Sequence, residues 1–277
     1  MLIDFWTYSC INCIRTIPEV EKLYQHFKNK DFIVIGVHSP EFPFEENTDN
    51  VANAIRQFHI TYPVVQDNQF ETWKHFDNQY WPAQYLINKD GKIVYEHFGE
   101  GGSQIIKNKI NELLNIKNKH TITKMDSINL SLGQTPETYL GLNRATRFSN
   151  NKYGLKGGKN NFNFYSNPPI NHWSLEGMWD IKGNKIVALK KGASIKFNFN
   201  AKDVYLDAGS RNNKPIHYQV FLNNKLIKNS NKQVEKDSNT ISNHMLYQLT
   251  KQKHRKNGII RIVFDRPSVE LYTFTFG

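Results

Sequence analysis

The chain holds two cysteines, Cys10 and Cys13, two residues apart in "LIDFWTYSCINCIRTIPEV" and just after an apolar run. Such a pair can be half of a zinc site, a haem tether, a short structural bridge or a redox dithiol. Zinc takes four ligands, usually a second cysteine pair or a histidine pair at fixed spacing. The sequence has no further cysteines, and its ten histidines are scattered. A haem tether needs histidine directly after the second cysteine, and Ile14 stands there. A disulfide across two intervening residues closes too small a loop to stabilise much. A redox dithiol needs a strand, a tight turn and a helix whose N-terminus receives the first sulfur, and the sequence offers that order. Unpaired N–H groups and the dipole at the helix start stabilise a thiolate on Cys10. The thiolate is the attacking species in thiol–disulfide exchange, which places Cys10 as nucleophile. Cys13, one turn inward and shielded, would resolve the mixed disulfide. A metal or structural pair is the alternative.

The elements that must position this pair alternate along residues 1–115. "LIDFW" (2–6) is a short strand, and residues 11–27 place Ile14, Ile17, Val20, Leu23, Tyr24 and Phe27 at helical spacing. "DFIVIGVH" (31–38) is a continuous apolar run of the kind buried on both faces of a parallel sheet. A helix near 47–59, the strand "PVVQ", a short helix near 69–76 and the strand "AQYLIN" (83–88) follow. Asp90-Gly91 marks a hairpin into "KIVYEHF", and a helix over about 103–115 closes the unit. This is an α/β pattern. Residues 116–135 keep no period and read as a linker. Residues 136–277 carry about eight short alternating segments separated by Gly, Asn and Lys, with 151–170 an irregular lead-in, which predicts an all-β sandwich.

Length and charge agree with two domains. The chain has 277 residues, 39% of them apolar, with 18 Phe, 13 Tyr and 5 Trp, which fits two globular cores. No run of eighteen apolar residues is present, so none spans a bilayer as a helix, and Met1 runs into strand-like sequence with no basic leader. Residues 1–115 carry 10 Lys/Arg against 15 Asp/Glu, whereas 116–277 carry 26 against 10. A basic second half is compatible with acidic polymers or anionic surfaces. Only "KQKHRK" (251–256) forms a cluster and no recognition motif accompanies it, so no nucleic-acid partner is expected.

"LIDFWTYSCINC" resembles the active-site strand and turn of the thioredoxin superfamily. The resemblance implies that Asp4, six residues before Cys10, is the buried carboxylate that helps deprotonate the resolving cysteine. It makes Trp6 the aromatic beside the dithiol and Pro18 the proline that kinks the active-site helix. In "YWPAQYLI" it makes Pro82 a cis-proline facing the dithiol, with Trp81 before it and the adjacent backbone open to an extended substrate. "GVHSPEFPFE", "YPVVQDN" and "FGEG" narrow the resemblance to extracytoplasmic proteins of the TlpA/DipZ type. The DipZ group joins a CcdA-like membrane electron carrier, a thioredoxin-like domain and a sandwich like a carbohydrate-binding module. "TPETYLG" and "ELYTFTFG" resemble the two ends of that last domain.

The expectation is therefore an α/β thioredoxin-like domain (1–115, its N-terminal hairpin missing), a linker and an all-β jelly-roll-like sandwich domain (136–277). The resemblance implies a thiol–disulfide oxidoreductase acting outside the cytoplasm on disulfide-bearing client proteins, fed by a CcdA-like membrane electron donor. It implies no metal or organic cofactor, only a redox-active Cys10–Cys13 disulfide. A start at residue 1 would leave "LIDFW" without a neighbour on one side. His38, Glu41 and Glu100 are expected first to be ordinary loop polarity; the alternative, implied by the resemblance, is that their loops lie at the active-site end and shape partner choice or proton transfer. Trp173, Trp179, Tyr205 and Tyr218 could stack on a glycan, but at strand spacing core is the first expectation. The alternative function is a glycan- or surface-binding adaptor whose redox half is vestigial.

Overall fold

A computed structural model describes residues 1–116, 133–150, 153–164, 166–227 and 239–277. The chain divides into two compact units, Met1–Leu130 and Ser131–Gly277. Most of the expected linker, residues 117–132, lies outside the described residues.

The first unit runs β1 (Leu2–Trp6), α1 (Ile11–Phe27), β2 (Val34–His38), α2 (Thr48–Gln57), β3 (Val64–Gln66), α3 (Glu71–His75), β4 (Ala83–Ile87), β5 (Ile93–Phe98) and α4 (Ser103–Leu113). A 3-10 turn, Pro43–Glu46, precedes α2. The sheet order is β3-β2-β1-β4-β5. Strand β1 is central, parallel to β2 through pairs such as Asp4–Gly36 and antiparallel to β4 through pairs such as Asp4–Gln84. The expectation of an open side on this strand is thus corrected, because β2 and β4 occupy both of its edges.

Being central, β1 is buried along its whole length. Side chains alternate across a strand, so Leu2 and Trp6 enter the core beneath α1 with Cys13, Ile17 and Val20. Ile3 and Phe5 enter the opposite core with Val37, Ala83 and Tyr85. Asp4 shares the parity of Leu2 and Trp6, and so lies on the side of α1. Pro18 lies inside α1, where it removes one backbone donor, and the helix continues past it.

The second unit contains β6 (Thr138–Tyr139), β7 (Gly158–Phe162), β8 (Trp173–Ile181), β9 (Ile186–Ala188), β10 (Ser194–Ser210), β11 (Ile216–Leu222), β12 (Lys225–Ile227), β13 (Thr240–Ile241), β14 (Met245–Phe264) and β15 (Val269–Phe276). It is all-β among the described residues, as expected. Two differences from the expectation have local causes. Part of the supposed lead-in, Gly158–Phe162, is a strand paired with β8. "SIKFNF" and "DVYLDA" fuse into one strand, β10, which shares its length with β14 across register shifts at Ala201/Asp203 and Val204/Tyr205.

Those shifts let β10 change neighbours: its first residues pair with β8, its last with β15. Because β8 also pairs with β9 and β9 with β15, the sheet closes around one core. Trp173 and Trp179 are fully buried in that core, Tyr218 is buried and Tyr205 is half-buried. The two tryptophans are therefore packing residues and offer no stacking surface. The basic cluster occupies a wide bulge of β14, since Lys256 pairs with Ala201 while Lys251 pairs with Asp203.

One charged group is held inside this unit. Glu270 Oε2 accepts from Lys185 Nζ at 2.7 Å, Tyr272 OH at 3.0 Å and His244 Nε2 at 3.0 Å. Burial opposes its charge, but the His244 and Lys185 bonds prevail and bring the carboxyl down to about 2. A carboxyl depressed on folding stabilises above its unfolded value and loses that stabilisation as pH falls toward its folded one. Glu270→Gln should cost about 2 kcal/mol at pH 7. The gap from wild type should close between about pH 4.5 and pH 2. Urea midpoints at pH 7 and pH 3 check this, and a gap independent of pH would show that packing, not charge, is what the substitution removes.

Candidate redox site

Cys10 ends the turn "TYSC" as the N-cap of α1, with extended backbone (φ −70°, ψ 113°), and its sulfur accepts the Cys13 N–H at 3.3 Å. An N-cap side chain satisfies one of the donors that a helix start leaves unpaired, and here the acceptor is a thiol sulfur. No acidic residue lies in the first turn of α1, so no negative side chain opposes a thiolate there. Cys10 is half-buried whereas Cys13 is 1% exposed, so solution partners can reach the first sulfur and not the second. Burial, then the hydrogen bond and charge of Cys10, push the Cys13 thiol well above its usual value.

Asp4 is 1% exposed, and Gln84 Nε2 of the neighbouring strand donates to its Oδ1 at 3.1 Å. Burial raises the Asp4 carboxyl to about 7, outweighing the Gln84 bond that favours its charged form. Its field also contributes to raising Cys13. Trp6 is fully buried in the cluster that holds Cys13, and its indole stands edge-on to the His38 ring at 5.0 Å. The Trp81–Pro82 bond is cis. The Cys10 sulfur lies 3.9 Å from the Trp81 carbonyl, and Trp81 Nε1 donates to the Ser39 carbonyl at 3.0 Å. The six residues singled out in the sequence (Asp4, Trp6, Cys10, Cys13, Trp81 and Pro82) therefore converge on one turn between β1, α1 and the entry to β4.

Three further groups complete the turn, of which the sequence had brought only His38 near it, and that as the lesser alternative. His38 is not loop polarity: it ends β2 fully buried, stacks on Tyr8 at 5.6 Å, and its Nε2 lies 3.3 Å from Thr7 Oγ1. Burial lowers it to about 4, so it is neutral at ordinary pH. Glu45 is fully buried, accepting at 2.6 Å from Ser9 Oγ, and burial raises it to about 7. Gln84 was legible only as part of a strand. Glu41 and Glu100 stay toward the surface, and Glu100 pairs with Arg15 at 3.2 Å. Among the described residues no cluster of three or more His, Cys, Asp or Glu could hold a metal ion.

Comparison with known proteins places both units. The Redoxin family matches residues 1–114, and the family described as Thioredoxin like C-terminal domain matches residues 135–277. Protein DipZ of Mycobacterium bovis is 35% identical over 215 residues, covering 76% of this chain and 31% of its own. Thiol-disulfide oxidoreductase YkuV of Bacillus subtilis is 26% identical over 113 residues, 41% of this chain and 76% of its own. Protein SUPPRESSOR OF QUENCHING 1 of Arabidopsis thaliana is 37% identical over 101 residues, 36% of this chain and 10% of its own. The chain thus spans about a third of the length of DipZ, and the shared region runs through both units. It belongs to the family of the Thioredoxin like C-terminal domain, carried here behind a Redoxin domain in the DipZ-type arrangement.

Proposed function

We propose that the chain is a thiol–disulfide oxidoreductase in which Cys10 and Cys13 exchange two electrons with disulfides of client proteins. The observation that carries this reading is the asymmetry of the two sulfurs. Cys10 is reachable and caps a helix start through the Cys13 N–H at 3.3 Å, while Cys13 is buried above a buried carboxyl.

The reduced protein acts as follows. The Cys10 thiolate attacks one sulfur of a client disulfide; the client S–S bond breaks, a Cys10–client bond forms, and the freed client thiolate takes a proton from water. The Cys13 thiol then passes its proton to the Asp4 carboxylate and attacks the Cys10 sulfur. The mixed disulfide breaks, the second client sulfur leaves as a thiolate that takes a proton from the Asp4 carboxyl or from water, and the Cys10–Cys13 disulfide holds the oxidising equivalents. Gln84 positions the Asp4 carboxyl by its bond at 3.1 Å. A carboxyl held near 7 is matched to proton exchange at neutral pH. Trp81 and Pro82 form the wall against which an extended client segment lies. Under this reading the work is done outside the cytoplasm, and a CcdA-like membrane donor returns two electrons to the disulfide. A glycan on the second unit gains no support from its tryptophans, which are core.

Titration of the pair in glutathione or dithiothreitol buffers should give one two-electron transition between about −270 and −120 mV. Cys10→Ser should abolish client reduction, and Cys13→Ser should accumulate mixed disulfides visible on non-reducing gels. Reduction that persists in Cys10→Ser would end the reading.

Asp4 makes a separate prediction. Its carboxyl is raised on folding from 3.8 to about 7, so the folded chain holds this proton more tightly than the unfolded chain. Stability contributed by Asp4 is then full below about pH 4 and falls as pH climbs to about 7. Asp4→Asn, which keeps an acceptor for Gln84, should be about 2–4 kcal/mol more stable than wild type at pH 8 and near it at pH 4. In the same variant, resolution of the mixed disulfide should slow tenfold or more. An Asn variant less stable than wild type at pH 8 would mean that the buried carboxylate is favourably ionised.

A further inference from the structure

Glu45 belongs to neither strand nor helix of the dithiol turn, yet both its oxygens are committed there. Oε1 accepts from Ser9 Oγ at 2.6 Å and from Ser9 N at 3.3 Å. Oε2 accepts from Glu41 N at 2.6 Å and Phe42 N at 2.9 Å. One oxygen therefore holds the residue directly before Cys10, and the other holds the loop between β2 and α2. All of this is buried: Glu45 and Ser39 are fully inaccessible, and Ser9 and Phe42 nearly so. Four donors fill the acceptor sites of one carboxylate, so each oxygen of Glu45 is fully tied, one to the turn and one to the loop.

The loop so held also reaches the other side of the site. Ser39, three residues before Phe42, accepts Trp81 Nε1 through its carbonyl at 3.0 Å. Its hydroxyl donates to Asp67 at 3.2 Å, and its N–H donates to the Trp6 carbonyl at 3.1 Å. Asp67 in turn accepts Thr72 N at 3.0 Å and Trp73 N at 2.9 Å, and the Trp73 ring lies 4.3 Å from that of Trp81. Tyr8 OH donates to the Phe44 carbonyl at 3.2 Å, a second tie between turn and loop. Residues 39–46 are thus a brace, fixed at one end to Ser9 and at the other to the indole beside Pro82.

We propose that Glu45 is a positioning residue for the dithiol, a carboxylate clamp that sets the Cys10 turn against the Trp81–Pro82 wall by holding residues 39–46 to Ser9. The proposal rests on the dithiol reading above only for its kinetic consequence; the clamp itself is a structural claim with its own readout. Glu45→Gln is nearly isosteric but replaces one acceptor oxygen by an NH₂ that would face N–H donors. Losing charge-assisted bonds at a buried acceptor shifts a local opening equilibrium by tenfold or more.

The test uses the full chain in its reduced state, with Glu45→Gln and the milder Ser9→Ala beside wild type. Amide hydrogen exchange of residues 39–46 should speed up tenfold or more in Glu45→Gln and by a smaller factor in Ser9→Ala. Exchange of α4 should be unchanged in both variants. With a peptide carrying one intramolecular disulfide and dithiothreitol as electron source, KM should rise about tenfold while kcat stays within threefold. That split follows because the clamp shapes the wall and touches no reacting atom. Unchanged exchange in 39–46 in both variants overturns the clamp, as does a loss confined to kcat. If Glu45→Gln does not fold, unchanged exchange and KM in Ser9→Ala overturn it. A wild type that reduces no disulfide, with exchange still raised in the variants, supports the clamp and removes the oxidoreductase reading instead.

Discussion

A carboxyl group surrounded by apolar side chains costs several kcal/mol to ionise unless donors replace its water. The first unit puts two such groups, Asp4 and Glu45, within the walls of one dithiol turn, and burial raises both to about 7. They are paired with donors to very different extents. Asp4 takes a side-chain hydrogen bond from Gln84, and its place on the central strand β1 keeps water away. Glu45 has four donors. The sparsely bonded group is suited to gaining and losing a proton, since neither state is strongly held by geometry. The richly bonded one is suited to holding atoms in place. Similar pKa values therefore conceal two kinds of work, and the hydrogen-bond count tells them apart.

The central position of β1 makes this arrangement possible. A strand flanked on both edges and covered on both faces has no solvent within reach, so whatever its sequence places at Asp4 is desolvated without further help. The same strand ends at Trp6, whose carbonyl takes Ser39 N at 3.1 Å, and the chain then turns through Thr7, Tyr8 and Ser9 into α1. His38, at the matching end of β2, fills the space between Trp6 and Tyr8 as a neutral ring. Burial lowers this histidine to about 4 and keeps the ring neutral.

Much of this was legible in the sequence because it depends on period and on punctuation. The apolar run 2–6, the helical spacing of Ile17, Val20 and Phe27, and the Asp90-Gly91 turn each determine a local shape, and each element formed within a few residues of its expected span. Convergence of Cys10, Cys13, Asp4 and Pro82 was legible through the resemblance. Glu45 was not, because "SPEFPFEE" contains three glutamates and nothing local marks the one that turns inward; only packing against Ser9, thirty-six positions away, does so. His38 was visible as a residue of the "VHSPEF" stretch, but its burial between Trp6 and Tyr8 comes from packing that no local pattern shows. In the second unit the apolar segments were visible, but their fusion into β10 and β14 was not. Turn-like Asn, Lys and Asp residues at 198–203 read as a break in the strand, and long-range pairing carries the strand through them as bulges.

What remains to be set by this architecture is the direction in which electrons run. In a dithiol of this kind the reduced form is favoured by whatever stabilises the Cys10 thiolate. Ile11 and Asn12, between the cysteines, bring no charge, and the first turn of α1 brings no acid. The stabilising contribution visible here is the Cys13 N–H on the Cys10 sulfur, with the helix start behind it. Against it stand a desolvated second thiol and a buried Asp4, which make losing a further proton costly until the mixed disulfide has formed. Under the proposed function, attack by Cys10 is open to solution while resolution by Cys13 waits on Asp4 as an internal base, so different groups control the two half-reactions. Under that reading, changes at the helix start shift the potential, and changes at Asp4 shift the lifetime of the mixed disulfide.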